Sequence, residues 1–175
     1  MLNMARVLLE GGCLFNYEPF EVTQQAERVI YLVPESGLGP FVHRLKLFHL
    51  LPHVQSDRFL YWTLSAKEDA TFSDPRILKA VEGAHVFLDT AVRFLPGDEN
   101  SATDQKEFAK TLFRLQAAGA KTITGAHHAP KNFETREHMT LENALRGSGD
   151  IGAMLATCWV VRQTDAIKNR IHIRT

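Results

Sequence analysis

The feature that most constrains the fold is a fourfold alternation of short apolar runs with segments of helical periodicity. The apolar runs are RVIYLV, FLYWTL, AHVFLDT and KTITGAH, beginning at residues 28, 59, 84 and 121. Runs rich in β-branched and aromatic residues are typical of buried strands. The segments of helical spacing cover residues 1–10, 41–51, 74–83 and 101–119. Because parallel neighbours need crossover connections, this order predicts an α/β fold with a mostly parallel sheet and helices on both faces.

The end of the chain has a different pattern. Two strand-like runs, ATCWVVRQ at 156–163 and NRIHIRT at 169–175, are separated by the polar segment TDAIK. This pattern predicts an antiparallel hairpin added at the edge of the sheet. No linker or shift of composition interrupts the 175 residues, a length that suits one domain, so we expect a single domain over 1–175.

Composition excludes several classes of protein. The 20 Lys and Arg balance 20 Asp and Glu, which excludes a generally basic nucleic-acid wrapper and requires any nucleic-acid contact to come from a local patch. Cys13 and Cys158 lie in apolar surroundings without the spacing of a zinc site or disulfide framework. No apolar run approaches the roughly 18 residues of a membrane span, and no signal pattern opens the chain, so we expect a cytoplasmic protein without membrane contact.

Polar residues follow three of the predicted strands at the carboxyl ends. Glu35 follows YLVP, Asp89 closes VFL, and His127 with His128 closes KTITGA. The carboxyl ends of parallel strands meet at one edge, where ligands bind in open sheets. A carboxylate after an apolar strand is costly to bury unless it is paired, so Asp89 calls for a partner such as Mg²⁺. Each residue also has a simpler interpretation: Asp89 caps the next turn, Glu35 is a solvated loop carboxylate, and the two histidines are a partly exposed pair.

Three basic residues form a second group of candidates. Arg146 lies in LRGSGDIGAML at 145–155, whose glycines indicate a loop that presents one cation to phosphate. A turn with a solvated arginine explains the same pattern. Lys131 and Arg136, in the loop 129–139, add to a basic path for a nucleic-acid backbone.

The segments RVIYLVPE, HVFLDTAVRFLPGDEN, TITGAHHAPK and ALRGSGDIGAM occur in an order that resembles a known family. The chain is similar, from about residue 5 to 174, to the RecA-like ATPases of the RepA helicase type, the hexameric replicative helicases of plasmids and phages, and to their AAA-family relatives. The resemblance implies a RecA-like P-loop NTPase core that uses ATP and Mg²⁺. It also implies a homo-oligomer, a hexameric ring, that contacts single-stranded DNA through loops.

The resemblance also implies a role for each candidate residue. Asp89 holds the Mg²⁺ of bound ATP, Glu35 polarises the attacking water, and His127 or His128 senses the γ-phosphate. Arg146 couples hydrolysis to a neighbouring subunit or to DNA, where Lys131 and Arg136 are further contacts. The nucleotide-binding segment is similar to a Walker B strand and consists of His85, Val86, Phe87, Leu88, Asp89 and Thr90.

One departure from the family pattern is large. The phosphate-binding motif G-x-x-x-x-G-K-[ST] does not occur in the sequence. The resemblance places it, with the first strand, before the helix that begins at Met1, so we expect a domain truncated at both ends whose isolated nucleotide site is inactive. A non-catalytic RecA-like remnant, serving in assembly or DNA contact, is the alternative. Metal-dependent hydrolysis by Asp89, His127 and His128 is weaker, because adjacent residues of a strand point to opposite faces.

Overall fold

The computed structural model describes residues 1–63, 72–98, 101–128, 154–165 and 170–174. They belong to two compact units. The first comprises Met1–Phe94 and Lys110–Ala126, and the second comprises Leu95–Ala109 and His127–Thr175. The prediction of a single domain over 1–175 stays a prediction.

The described elements follow the predicted alternation. The α-helices are α1 Leu2–Glu10, α2 Leu38–Leu47, α3 Leu51–Gln55, α4 Pro75–Ala80 and α5 Ala102–Ala117. Short 3-10 helices cover Leu14–Asn16, Glu18–Phe20 and Ala91–Phe94. The strands are β1 Gly12–Cys13, β2 Glu21–Val22, β3 Arg28–Val33, β4 Phe59–Thr63, β5 Ala84–Leu88, β6 Thr122–Gly125, β7 Val160–Asp165 and β8 Arg170–Arg174.

The first unit is built on a four-stranded parallel sheet with the order β4-β3-β5-β6. The two central strands, β3 and β5, are in register, so that Tyr31 lies opposite Phe87. On the other side of β3, Tyr31 lies opposite Tyr61 of β4. The predicted α/β fold with a parallel sheet flanked by helices is therefore confirmed, and it is consistent with the RecA-like NTPase fold that the resemblance implies.

The core explains why β3 is apolar at almost every position. Val29 to Val33 are all buried, because β3 is central and covered on both faces. Val29, Tyr31 and Val33 point to the face that carries α1, α2 and α3 and join one apolar cluster with residues of these helices. Its other members are Leu2, Ala5, Leu9, Ala26, Phe41, Leu45, Leu50, Phe59 and Phe87.

The helix predicted over 41–51 is wrong in its bounds. The chain forms two helices, α2 and α3, and the break between them contains His49 with a φ of 56°. A left-handed residue ends an α-helix, and Pro52 then occupies the first turn of α3. Pro40 was expected to precede the helix, but it lies in the first turn of α2, where its missing N–H costs no hydrogen bond.

The short helix α4 begins as its sequence predicts. Asp74 is its N-cap, and the Asp74 side chain accepts a hydrogen bond from the backbone N–H of Arg76 at 2.8 Å. The Arg76 guanidinium lies 2.6 Å from the same carboxylate, and hydrogen bonds from Arg76 lower the pKa of Asp74. The helix ends at Ala80, and Gly83 with a φ of 71° leads into β5.

The C-terminal hairpin is confirmed, since β7 and β8 pair antiparallel. Among the described residues β7 and β8 form a two-stranded sheet, and the expected attachment to the edge of the parallel sheet stays a prediction. A second antiparallel pair, β1 with β2, was not predicted because only two residue pairs hold it, which is too short for a period-two pattern. No helix in the described part of the chain is long and apolar enough to cross a membrane.

Candidate functional site

The order of the strands reverses between β3 and β5. From β3 the chain moves to β4 on one side, and it then returns to form β5 and β6 on the other side. In open parallel sheets the ligand crevice lies beyond the carboxyl ends of the strands at such a reversal. Glu35 lies two residues after β3, and Asp89 directly follows β5. The two acidic residues that the sequence singled out therefore flank the reversal point of the sheet.

The carboxylate of Asp89 is held from the neighbouring strand. The Asp89 backbone N–H donates to the carbonyl oxygen of Leu32 at 2.8 Å, which extends the pairing of β5 with β3 by one residue. Its Oδ2 accepts a hydrogen bond from the hydroxyl of Tyr31 at 2.7 Å. The peptide bond between Asp89 and Thr90 is cis. The strand was predicted to reach Thr90, but it ends at Leu88. Asp89 lies just beyond this end and is half-buried.

The ring of Tyr31 is fixed by aromatic neighbours on both sides. It stacks on Phe59 and Phe87, with centroids 5.9 and 5.7 Å away, and it contacts Phe41 at 5.5 Å. Only 1% of Tyr31 is exposed. Burial raises the pKa of the Tyr31 phenol far above its usual value, and the neighbouring Asp89 raises it further. The hydroxyl therefore stays protonated and acts as the donor.

Glu35, which follows β3, is held by a side chain that follows β5. Its Oε1 accepts a hydrogen bond from Nε of Arg93, which lies in the 3-10 helix after Asp89. Both side chains of this ion pair are partly exposed, with 63% of Arg93 and 35% of Glu35 accessible. Tyr31 and Glu35 belong to the β3 segment, whereas Asp89 and Arg93 belong to the β5 segment. Each segment thus supplies one acid. It also supplies the side chain that donates a hydrogen bond to the acid of the other segment.

A second cation lies beside this pair of segments. Nη2 of Arg44, on α2, donates to Oγ of Ser36 at 2.8 Å, directly after Glu35. The same guanidinium lies 5.3 Å from the centroid of the Phe41 ring, where the face of the ring attracts a cation. The loop that carries Glu35 is therefore tied to α2 as well as to β5.

The charge of Asp89 also acts on the start of α1. Burial lowers the pKa of the Met1 amino group, and the negative charge of Asp89 opposes this effect.

The residues around Asp89 fit a hydrated Mg²⁺ and do not form a complete protein cage for a metal. Within the described ranges no group of three or more His, Cys, Asp or Glu side chains could hold an ion. Mg²⁺ commonly keeps several waters and is bound by one or two carboxylates together with substrate phosphates. Oγ1 of Thr90 is inaccessible and has no hydrogen-bond partner among the described residues.

The segment from His85 to Thr90 divides into two parts. Val86, Phe87 and Leu88 are buried in the sheet and serve as core residues. His85 lies at the other end of β5, where its Nδ1 is 2.8 Å from Oγ1 of Thr122. At about 3.3 Å per residue, His85 is roughly 13 Å from Asp89 along the strand. Of the six predicted nucleotide-binding residues, the structure therefore places Asp89 and Thr90 at the edge.

The two predicted histidines belong to the second unit and lie beyond β6, which ends at Gly125 and not at His127 as expected. Nδ1 of His127 is 2.9 Å from the carbonyl oxygen of His128. Nε2 of His127 is inaccessible and has no hydrogen-bond partner in the part of the chain that the structure describes. The other predicted contacts, Lys131, Arg136 and Arg146, lie outside the described residues.

Two residues of the site, Tyr31 and Arg93, were missed by reasoning from the sequence. A signal for Tyr31 was present, because a tyrosine inside an otherwise aliphatic buried strand must find a partner for its hydroxyl. Arg93 gives a weaker signal, since a cation five residues after a strand is more often solvated.

Comparison with known proteins adds one finding. A family model described as "AAA domain" matches residues 1–134, which include β3 to β6, Glu35 and Asp89. No curated protein and no solved structure matches the chain.

Proposed function

We propose that this chain, which belongs to the AAA domain family, supplies a site for ATP and Mg²⁺ binding and ATP hydrolysis at the reversal point between β3 and β5, and that this site is inactive without a phosphate-binding loop. The family is one of nucleotide-binding, ATPase-like domains. The observation that carries the proposal is the position of Asp89 and Glu35 on the two sides of that reversal point.

The residues present suit phosphoryl transfer. This reaction depends mainly on positioning and charge stabilisation, so the protein needs a metal-binding oxygen, a group that orients water, and cations. An oxygen of Asp89 would hold Mg²⁺, which when bound neutralises charge on the phosphates. Glu35 accepts the proton of a water molecule at the same edge, and Arg93 keeps its carboxylate in place. His127 or His128 contacts the terminal phosphate in this proposal.

The finer part of the proposal concerns DNA. We propose a RepA-like helicase that acts in plasmid or phage-type replication as a homo-oligomer, a hexameric ring. Lys131, Arg136 and Arg146 then contact single-stranded DNA through loops. The balance of 20 basic and 20 acidic residues supports contact through a few loops, multiplied by the subunits of a ring, over binding by the charge of the whole chain.

Calorimetry with Mg-ATP tests the nucleotide site. The titration is made on the 175-residue chain and on a version extended by upstream coding sequence that carries a phosphate-binding loop. Without the lysine and backbone N–H groups of that loop, we expect very weak binding by the shorter chain and tight binding by the extended one. An extended chain that lacks the loop, or that has it and fails to bind, would contradict the proposal.

Substitution of the two acids tests their roles in the extended chain. We expect both Asp89→Ala and Glu35→Gln to abolish ATP hydrolysis, because the first removes the metal-binding oxygen and the second removes the proton acceptor. Glu82→Gln, an exposed acid between α4 and β5, is the control and should keep normal turnover. Unchanged turnover in either test variant would remove that residue from its assigned role.

DNA contact has its own test. Binding of single-stranded DNA, measured over a range of salt concentrations, should weaken as salt rises, and Lys131→Ala and Arg136→Ala should reduce the slope by about one each. Binding that ignores salt, or variants that leave the slope unchanged, would exclude these residues as phosphate contacts.

The absence of G-x-x-x-x-G-K-[ST] from the 175 residues favours a second candidate function. In it the chain is a non-catalytic RecA-like module for assembly or DNA contact. Such a module would oligomerise, or bind DNA in a salt-dependent way, without hydrolysing ATP in any form of the chain. A monomer without DNA affinity at low salt would exclude this candidate.

A further inference from the structure

We infer that Tyr31 is a positioning residue for the metal-binding carboxylate: its hydroxyl holds Oδ2 of Asp89 and leaves Oδ1 to Mg²⁺ or to a water bound to it. This inference rests on the proposed function, because Tyr31 has this role only if Asp89 binds the metal of a nucleotide. Tyr31 itself touches neither the metal nor the nucleotide and acts through Asp89.

The register of the sheet places the two side chains within reach. Tyr31 on β3 lies opposite Phe87 on β5, and Asp89 is two residues further along on the same face as Phe87. Diagonal neighbours of this kind are about 7–8 Å apart at the backbone, a distance that a tyrosine side chain spans. The result is a donor–acceptor distance of 2.7 Å between the hydroxyl and Oδ2.

The surroundings of Tyr31 make its hydroxyl a rigid donor. Phe59 and Phe87 stack on its ring, and Phe41 packs at an angle to it, so the ring has little freedom to turn. A donor that does not move fixes the direction in which the carboxylate points.

The acceptor of the Tyr31 hydrogen bond shows whether the hydroxyl positions the Asp89 carboxylate or only finds a partner for a buried polar group. Any backbone carbonyl would satisfy a buried tyrosine, but the acceptor here is a half-buried carboxylate at the reversal point of the sheet. Groups that hydrogen-bond metal-binding side chains orient them, and removing such a group costs about 10–100-fold in metal affinity. We expect the Tyr31 hydroxyl to contribute at the lower end of that range.

The test uses Mn²⁺ as the metal probe, with excess ATP, on the extended chain that carries the phosphate-binding loop. Paramagnetic broadening of the backbone resonances around Asp89 reports the Mn²⁺ concentration at half-saturation, without any need for turnover. Tyr31→Phe keeps the ring and removes only the hydroxyl, so we expect half-saturation to need about 10-fold more Mn²⁺. The control is Tyr61→Phe, on the adjacent strand, whose ring contacts Phe41 at 5.3 Å, and it should leave the concentration unchanged.

A double-mutant cycle separates positioning from a general effect on the fold. In an Asp89→Asn background, Tyr31→Phe should change the metal dependence no further, because the carboxylate that it positions is gone. A Tyr31→Phe chain that lowers the unfolding temperature but binds Mn²⁺ like the wild type would overturn the inference and leave the proposed function intact. Absence of any broadening that depends on Asp89, in the extended wild-type chain, would overturn the inference together with the proposed metal site.

Discussion

The two edges of the parallel sheet are held together by different kinds of interaction. At the amino edge, Arg58 lies just before β4 and donates through Nη2 to the carbonyl oxygens of Leu9 and Ala26 at 2.9 and 2.8 Å. Its Nε also donates to the carbonyl oxygen of Glu27 at 3.3 Å. At the carboxyl edge, by contrast, Asp89 and Glu35 each accept a hydrogen bond from one side chain of the opposite segment.

This difference separates stability from ligand chemistry. One arginine joins the end of α1 to the starts of β3 and β4, and its partners are neutral backbone groups of the same fold. The acids of the carboxyl edge keep carboxylate oxygens that can accept further bonds, since each carboxylate offers about four lone-pair sites. We therefore expect substitutions at the amino edge to change mainly the free energy of unfolding, and those at the carboxyl edge to change mainly ligand binding.

Loss of the Arg58 guanidinium should have the largest effect on stability. Arg58→Met keeps an apolar stem but leaves the carbonyls of Leu9 and Ala26 without their donor, which we expect to cost about 2–3 kcal/mol of unfolding free energy. Urea unfolding followed by circular dichroism measures this cost. Arg6→Met, on the exposed side of α1, is the matched control and should cost no more than about 1 kcal/mol.

The contrast between the edges depends on this result. If Arg58→Met is no more destabilising than Arg6→Met, the amino edge is not held by its arginine. Stability would then have to come from the apolar cluster beneath α1 alone.

At the carboxyl edge, removal of a cation should cost much less. Arg93→Met breaks the ion pair with Glu35, but both side chains are partly exposed, so we expect the free energy of unfolding to change by less than about 1 kcal/mol. The same urea titration gives the value. A loss as large as that of Arg58→Met would show that the carboxyl edge also carries the stability of the sheet.

The smallest expected effect is the contribution of His85, at the amino edge, to the pH dependence of stability. Burial lowers the pKa of His85, and the charge of Lys121 lowers it further. The unfolded chain therefore takes up this proton at higher pH than the folded chain, so stability falls as pH drops below about 6.5. Thermal unfolding between neutral and mildly acidic pH should show this fall, and His85→Gln should reduce it.

His43→Gln, an exposed histidine on α2, is the control for His85 and should leave the pH dependence unchanged. Equal acid sensitivity in the His85→Gln and wild-type chains would assign the effect to other groups.

The sequence was informative where a pattern is local. Apolar runs located β3 to β6, and the helical spacing over 74–83 located α4. The break between α2 and α3 escaped prediction because a histidine, His49, takes the left-handed conformation in which glycine is the usual signal.

The candidate site was predictable only in part, for a related reason. Glu35 and Asp89 were found because each follows an apolar strand, and that is a property of neighbouring residues in the chain. Tyr31 and Arg93 were missed because their partners are 58 residues away in both cases. Which residues meet across that distance depends on strand order and register, and no local pattern specifies either.

The hydrogen bonds from Tyr31 to Asp89 and from Arg93 to Glu35 make the positions of the two acids depend on each other. Tyr31 and Glu35 are four residues apart, as are Asp89 and Arg93, so both bonds depend on a single alignment of β3 with β5. A slip of one residue between these strands would turn every side chain of the shifted strand to the other face and misplace both acids at once. Any attempt to transplant this pair of acids into another sheet must therefore move the two strands as one piece.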